Sequence, residues 1–129
     1  MANATAITVR DLLANSELAD PSPDVLDTGD AAVTLPCTLA GKTDRVIFRI
    51  KNTAAATLTP SVLAGDNPPA MRAGVGAFAA TGLAQNAIVW LGPFESGRFG
   101  QDDGKINITF TPASGTIGAE VTCFRLPKV

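Results

Sequence analysis

Between residues 33 and 126 the chain keeps a two-residue rhythm suited to extended strands. Val46, Phe48 and Ile50 alternate with Arg45, Arg49 and Lys51, and further on Ile106, Ile108 and Phe110 alternate with Lys105, Asn107 and Thr109. Successive side chains of a strand project to opposite faces, so this pattern describes sheets with one buried and one wet face. It predicts strands near 32–39, 45–51, 57–64, 86–91, 96–100, 105–111 and 117–125, set apart by turn residues such as Ala40-Gly41-Lys42-Thr43, Gly92-Pro93 and Ala113-Ser114-Gly115. Seven or so short antiparallel strands make an all-β protein, an antiparallel β-sandwich of jelly-roll-like or immunoglobulin-like layout. Pro36 and Pro60 fall inside strand patterns. Proline cannot donate to a ladder, so those strands are expected at edges or with bulges.

The bulk composition limits what such a sandwich can be. A chain of 129 residues is one domain of ordinary size. Its hydrophobic fraction of 46% suffices for a core, but much of it is alanine, and six Phe and one Trp supply the bulk. The core is therefore expected to be thin, as between two sheets. No apolar run approaches the ~20 residues that span a bilayer. The N-terminus lacks a basic region followed by an apolar stretch, so synthesis in a cytoplasm is expected. Nucleic acid is disfavoured as a partner: the pI is 4.9, Tyr is absent, and basic and aromatic residues do not interleave.

Histidine is absent, which removes Ser-His and Cys-His pairs and, with only two cysteines, a zinc site. Cys37 lies in register with Val33, Leu35 and Leu39, and Cys123 with Ile117 and Val121. Two readings stand: buried free thiols packing as small hydrophobes, or a disulfide tying an early strand to the last one. Gly74-Val75-Gly76 lacks the Gly-Lys-Ser/Thr of a phosphate loop. Asp102-Asp103-Gly104 reads as a hairpin turn ahead of a calcium loop. A carboxylate pair for glycoside hydrolysis is conceivable among Asp66, Glu95, Asp102 and Asp103, but nothing fixes their separation. The expectation is no enzyme and no cofactor.

Residues 1–30 differ in character from the rest. They hold Asp11, Glu17, Asp20, Asp24, Asp27 and Asp30 against Arg10 alone, a net charge of −5. A helical turn capped by Thr8, with Asp11 at the third helical position, or a short strand is expected there. Asp20-Pro21-Ser22-Pro23 then breaks any helix. The chain thus divides into an extended N-terminal arm, 1–30, and a sandwich domain, 31–129. The arm is either solvated or docked on a basic surface. Its apolar residues, Leu12, Leu13 and Leu18 among them, are available for docking.

Two further stretches suggest contact surfaces. Arg45, Arg49 and Lys51 share a strand face with Ile47, the combination of arginine beside an apolar residue that interfaces favour. Between residues 63 and 86 runs a long connection, stiffened by Pro68-Pro69 and turned by Gly74 and Gly76, with a strand-like piece at Ala77-Phe78-Ala79. Asp66, Pro68, Pro69, Met71 and Arg72 are its candidate contact residues. Trp90 is expected in the core near Phe99, with Gly92-Pro93 making a corner.

Three runs carry a family resemblance: Ala64-Gly65-Asp66-Asn67-Pro68-Pro69-Ala70, Trp90-Leu91-Gly92-Pro93-Phe94-Glu95-Ser96-Gly97-Arg98-Phe99, and Gln101-Asp102-Asp103-Gly104. Together with the ending Phe124-Arg125-Leu126-Pro127-Lys128, they resemble small virion proteins of tailed bacteriophages, capsid-associated β-sandwich proteins of similar length. The resemblance is one of pattern and covers roughly residues 45–129. It implies a capsid decoration, or cement, protein made in the host cytoplasm that binds the outside of the major capsid protein lattice, typically as a homotrimer. It also implies that an acidic arm such as 1–30 orders upon capsid binding. A tail-tube or head-completion subunit, and a carbohydrate- or receptor-binding head-fibre module, are the alternative roles.

Overall fold

The computed structural model describes residues 5–12, 15–27, 32–38, 45–63, 77–93 and 104–126. Among these residues the chain forms strands in two sheets and no helix. The larger sheet contains β1 (Val9–Asp11), β2 (Asp24–Asp27), β4 (Val46–Asn52), β7 (Ile88–Leu91) and β9 (Gly118–Arg125). The smaller contains β3 (Val33–Thr38), β5 (Leu58–Val62), β6 (Phe78–Ala79) and β8 (Lys105–Pro112), in the order β3-β8-β5-β6. Every strand pairing is antiparallel except that of β1 with β9. The two sheets pack face to face as an all-β sandwich.

The alternation read from the sequence becomes burial. Val46, Phe48 and Ile50 of β4 are fully buried, while Ile47, Arg49 and Lys51 between them are partly exposed. From the other sheet, Ile106, Ile108 and Phe110 of β8 meet them. Among the described residues Phe48 and Phe110, one from each sheet, are the largest fully buried side chains. Each large apolar side chain so buried contributes about 1.5–3 kcal/mol. Cys37 on β3 and Cys123 on β9 are free, buried thiols whose sulfurs face each other at 3.8 Å.

The N-terminal segment enters the larger sheet. Strand β2 pairs antiparallel with the first half of β9, from Asp24 opposite Val121 to Asp27 opposite Gly118. Strand β1 pairs parallel with the second half of the same edge, from Val9 opposite Cys123 to Asp11 opposite Arg125. Leu26 is fully buried and Ile7 nearly so, both within the core cluster. Thr8 does not cap a helix. Its N–H donates to Asp24 Oδ2 at 2.7 Å and its hydroxyl to Asp24 Oδ1 at 3.1 Å, stapling the start of β1 to the start of β2. A strand forms here because the edge of β9 would otherwise leave a row of backbone donors and acceptors unpaired.

The prolines obey the same accounting. Pro36 lies on β3, an edge strand, and its carbonyl accepts from Ile7 N–H at 2.9 Å on the side away from β8. Pro60 departs from expectation, since β5 runs between β8 and β6. Its carbonyl accepts from Ala80 N–H at 2.9 Å, on the β6 side. The N–H and C=O of one strand residue project the same way, so the missing donor costs β5 no bond to β8. The predicted strand at 96–100, the connection at 64–76, Phe99, Glu95, and Asp102 and Asp103 lie outside the described residues.

One buried polar side chain closes an end of the sandwich. Asn52, at the end of β4, donates from Nδ2 to the carbonyls of Ala56 and Leu83, both at 2.8 Å. Its Oδ1 accepts from Ala54 N–H at 3.0 Å. The turn so held lies tight against Gly118, whose position a Cβ could not share: it would stand 3.0 Å from the Ala54 nitrogen and 2.9 Å from Thr53 Oγ1. Asn52→Ala leaves three backbone groups without this partner and is expected to destabilise the fold by about 3–5 kcal/mol. Urea unfolding measures this, and a loss below about 1 kcal/mol would show that the turn holds without the amide.

Candidate functional site

The outward face of the five-stranded sheet brings together what the sequence scatters. Register places Ile47 opposite Phe124, Arg49 opposite both Thr122 and Trp90, and Lys51 opposite both Glu120 and Ile88. Residues paired across neighbouring strands share a face. Since Phe48 and Ile50 point inward, Ile47, Arg49, Lys51, Ile88, Trp90, Glu120 and Phe124 all lie on the outer one. Trp90 is 55% exposed and Ile88 44%. Trp90 reaches across β4 and stacks on Phe124, with ring centroids 6.0 Å apart and an interplanar angle of 23°. Phe124 is thereby 9% exposed although it stands outside the core cluster.

Trp90 therefore corrects the expectation that it packs in the core. Strand β7 reads Ile-Val-Trp-Leu, apolar at every position, so the sequence carries no alternation to say which pair faces inward. Pairing with β4 decides it: Leu91 sits beside Phe48 and Val89 beside Ile50, on the inner side. Ile88, Trp90 and Phe124 are the surface residues that sequence reasoning missed. Their signal lay in register with the basic row.

Charge on this face is unbalanced. Arg49 and Lys51 stand beside the apolar cluster, Arg10 flanks it across from Phe124, and Glu120 is the acid in the row. Among the described residues neither Arg49 nor Lys51 forms an ion pair. Arg10 donates from Nη2 to the Ser22 carbonyl at 2.9 Å, and its buried Nε has no partner.

At the rim, Arg125 grips Asp11 with both forks, Nε to Oδ1 at 2.5 Å and Nη2 to Oδ2 at 3.0 Å. This hydrogen bond chiefly holds the Asp11 carboxyl below its ordinary range and raises the Arg125 guanidinium. A depressed carboxylate contributes stability above its unfolded pKa and loses it as pH falls through the folded value, so the clasp's contribution to stability is lost in acid.

The other expected contact residues are placed as follows. Leu18 is exposed at 42%. Leu12 is partly buried, and its N–H donates to the Arg125 carbonyl at 2.9 Å. Arg45 accepts from Leu126 N–H at its carbonyl and stands beside the Asp11 clasp. Of the expected contact residues that are described, only Ile47 and Arg49 belong to the aromatic face. Leu13, Asp66, Pro68, Pro69, Met71 and Arg72 lie outside the described residues.

No protein-family model matches the chain, and no curated protein or solved structure matches it either.

Trp90 is the single tryptophan of the chain, which makes the face directly observable. Its fluorescence in the native protein is expected to be quenched by added iodide, less than in the urea-unfolded chain because one ring face lies on Phe124, but far more than for a buried indole. Strong protection in the native state would mean that the ring is covered.

Proposed function

We propose that this chain is a non-enzymatic structural protein of a phage virion, one that decorates and stabilises the capsid exterior. It docks through the aromatic and basic outer face of its five-stranded sheet. The observation that carries the docking is the exposed Trp90, set beside Ile88, Ile47, and Arg49 and Lys51, which form no ion pair among the described residues. Tryptophan and arginine side by side are the residue types that dominate binding energy at protein interfaces. The partner surface that complements them presents apolar side chains bordered by carboxylates. The virion setting and a trimeric state rest on the resemblance of residues 64–70, 90–99 and 101–104 to phage virion proteins. A protein that binds the assembled shell and not its free subunits stabilises the shell by mass action.

A second reading has its own support. An exposed tryptophan ring is what a sugar stacks on, so a carbohydrate-binding head-fibre module also fits Trp90.

Co-sedimentation with shells of the phage's own major capsid protein tests the first reading. Saturable binding is expected, and Trp90→Ala or Arg49→Glu should each weaken it at least about tenfold, the effect of removing an interface anchor. Both variants should melt within a few degrees of the parent, because neither side chain is in the core. Light scattering should give a solution mass near three times 13.2 kDa. Absence of shell binding, together with glycan-array signals that vanish in Trp90→Ala, would favour the carbohydrate reading.

A further inference from the structure

We propose that Cys37 and Cys123 are a modification site: on oxidation they join in a disulfide that links the two sheets through the core. The sulfurs already face each other at 3.8 Å, one from each sheet, and among the described residues neither bonds to another side chain. A disulfide bond of about 2.05 Å asks for a further approach of roughly 1.8 Å. Sandwiches accept such a bond between facing strands, as antibody domains do. The chain has no third cysteine, so within one molecule no other pairing competes.

The oxidant is a low-molecular-weight disulfide such as oxidised glutathione. One protein thiolate attacks it, forming a mixed disulfide and releasing one glutathione thiolate. The second protein thiolate then attacks the protein sulfur of that mixed disulfide, releasing the second. Two protein S–H groups and one external disulfide give one protein disulfide and two small thiols, and the two protons pass to the leaving thiolates.

Access is the controlling step. Both sulfurs are buried, and the hydrogen bond between them, with burial, pushes the Cys123 thiol up, so the closed fold holds little thiolate. Cys123 is flanked in its sheet by Phe48 on β4 and by Val9 on β1. Of these, β1 is the strand that can peel away: it is three residues long and has β9 as its partner in the sheet order. Oxidation therefore proceeds during folding or when β1 opens, and the product is equally shielded from reductant once the strand closes. Closing a chain separation of 86 residues removes much unfolded-state freedom, so the bond locks the fold.

The test is refolding of the full chain from denaturant in a buffer of reduced and oxidised glutathione, against the same step in excess reductant. The oxidised sample should lose about two daltons, the two hydrogens removed in exchange. Titration in denaturant should then find no free thiol, and the melting temperature should rise on the order of 10 °C. Cys37→Ala should abolish the rise, and the mass and thiol readouts on the parent chain stand even if that variant folds poorly. Two thiols remaining after refolding, glutathione adducts alone, disulfide-linked dimers, or an internal bond without a rise in melting temperature would each overturn the proposal.

Discussion

Strand β9 is the constraint on which the larger sheet depends. One of its edges takes β4 along seven residues, and its other edge is divided between β2 and β1, which leave the same point in opposite directions. Thr8 and Asp24 hold that junction, and the Asp11–Arg125 clasp holds the far end. Because Ala119, Val121 and Cys123 face inward from the same strand, β9 also carries the central strip of the core. A single-residue slip of its register would turn those side chains to solvent and move Phe124 and Thr122 inward. Burial and pairing thus enforce one another.

The fold was legible where burial is one-sided. Strands β4 and β8 alternate cleanly because each presents one face to the core, and their extents were read within a residue or two. The N-terminal strands were not legible as part of the sandwich. With three and four residues, among prolines and acids, they are too short to show a period, and their pairing rests on an edge supplied more than ninety residues later. The aromatic and basic outer face was half legible. Arg49 and Ile47 declare themselves by alternating with Phe48 and Ile50, whereas Trp90 sits in an all-apolar strand whose orientation only its partner reveals.

Size misled in the case of Trp90. A large aromatic ring is expected to seek the core, but this core is a thin layer already filled by Phe48 and Phe110 from opposite sheets. An indole on the outside keeps part of its apolar gain by stacking on Phe124 and leaves the remainder unspent on folding. Surface of that kind is what association can bury. The same sheet therefore separates two tasks by parity: even positions of β4 hold the fold, and odd positions are available to a partner.

The pairing of the first strand with the last has a consequence for synthesis. The Asp11–Arg125 contact spans 114 residues, and β2 likewise waits for the start of β9. On a ribosome, Val9, Val25 and Leu26 emerge long before β9, the strand with which they pair. The smaller sheet can assemble beforehand, since β3, β5, β6 and β8 all precede β9 in the chain. Within the larger sheet β4 can pair with β7 beforehand, but β1 and β2 join only through β9, in contacts of high contact order that form slowly. Until then β1 and β2 are apolar segments without their strand partner, the kind of exposed surface that favours misassembly during folding.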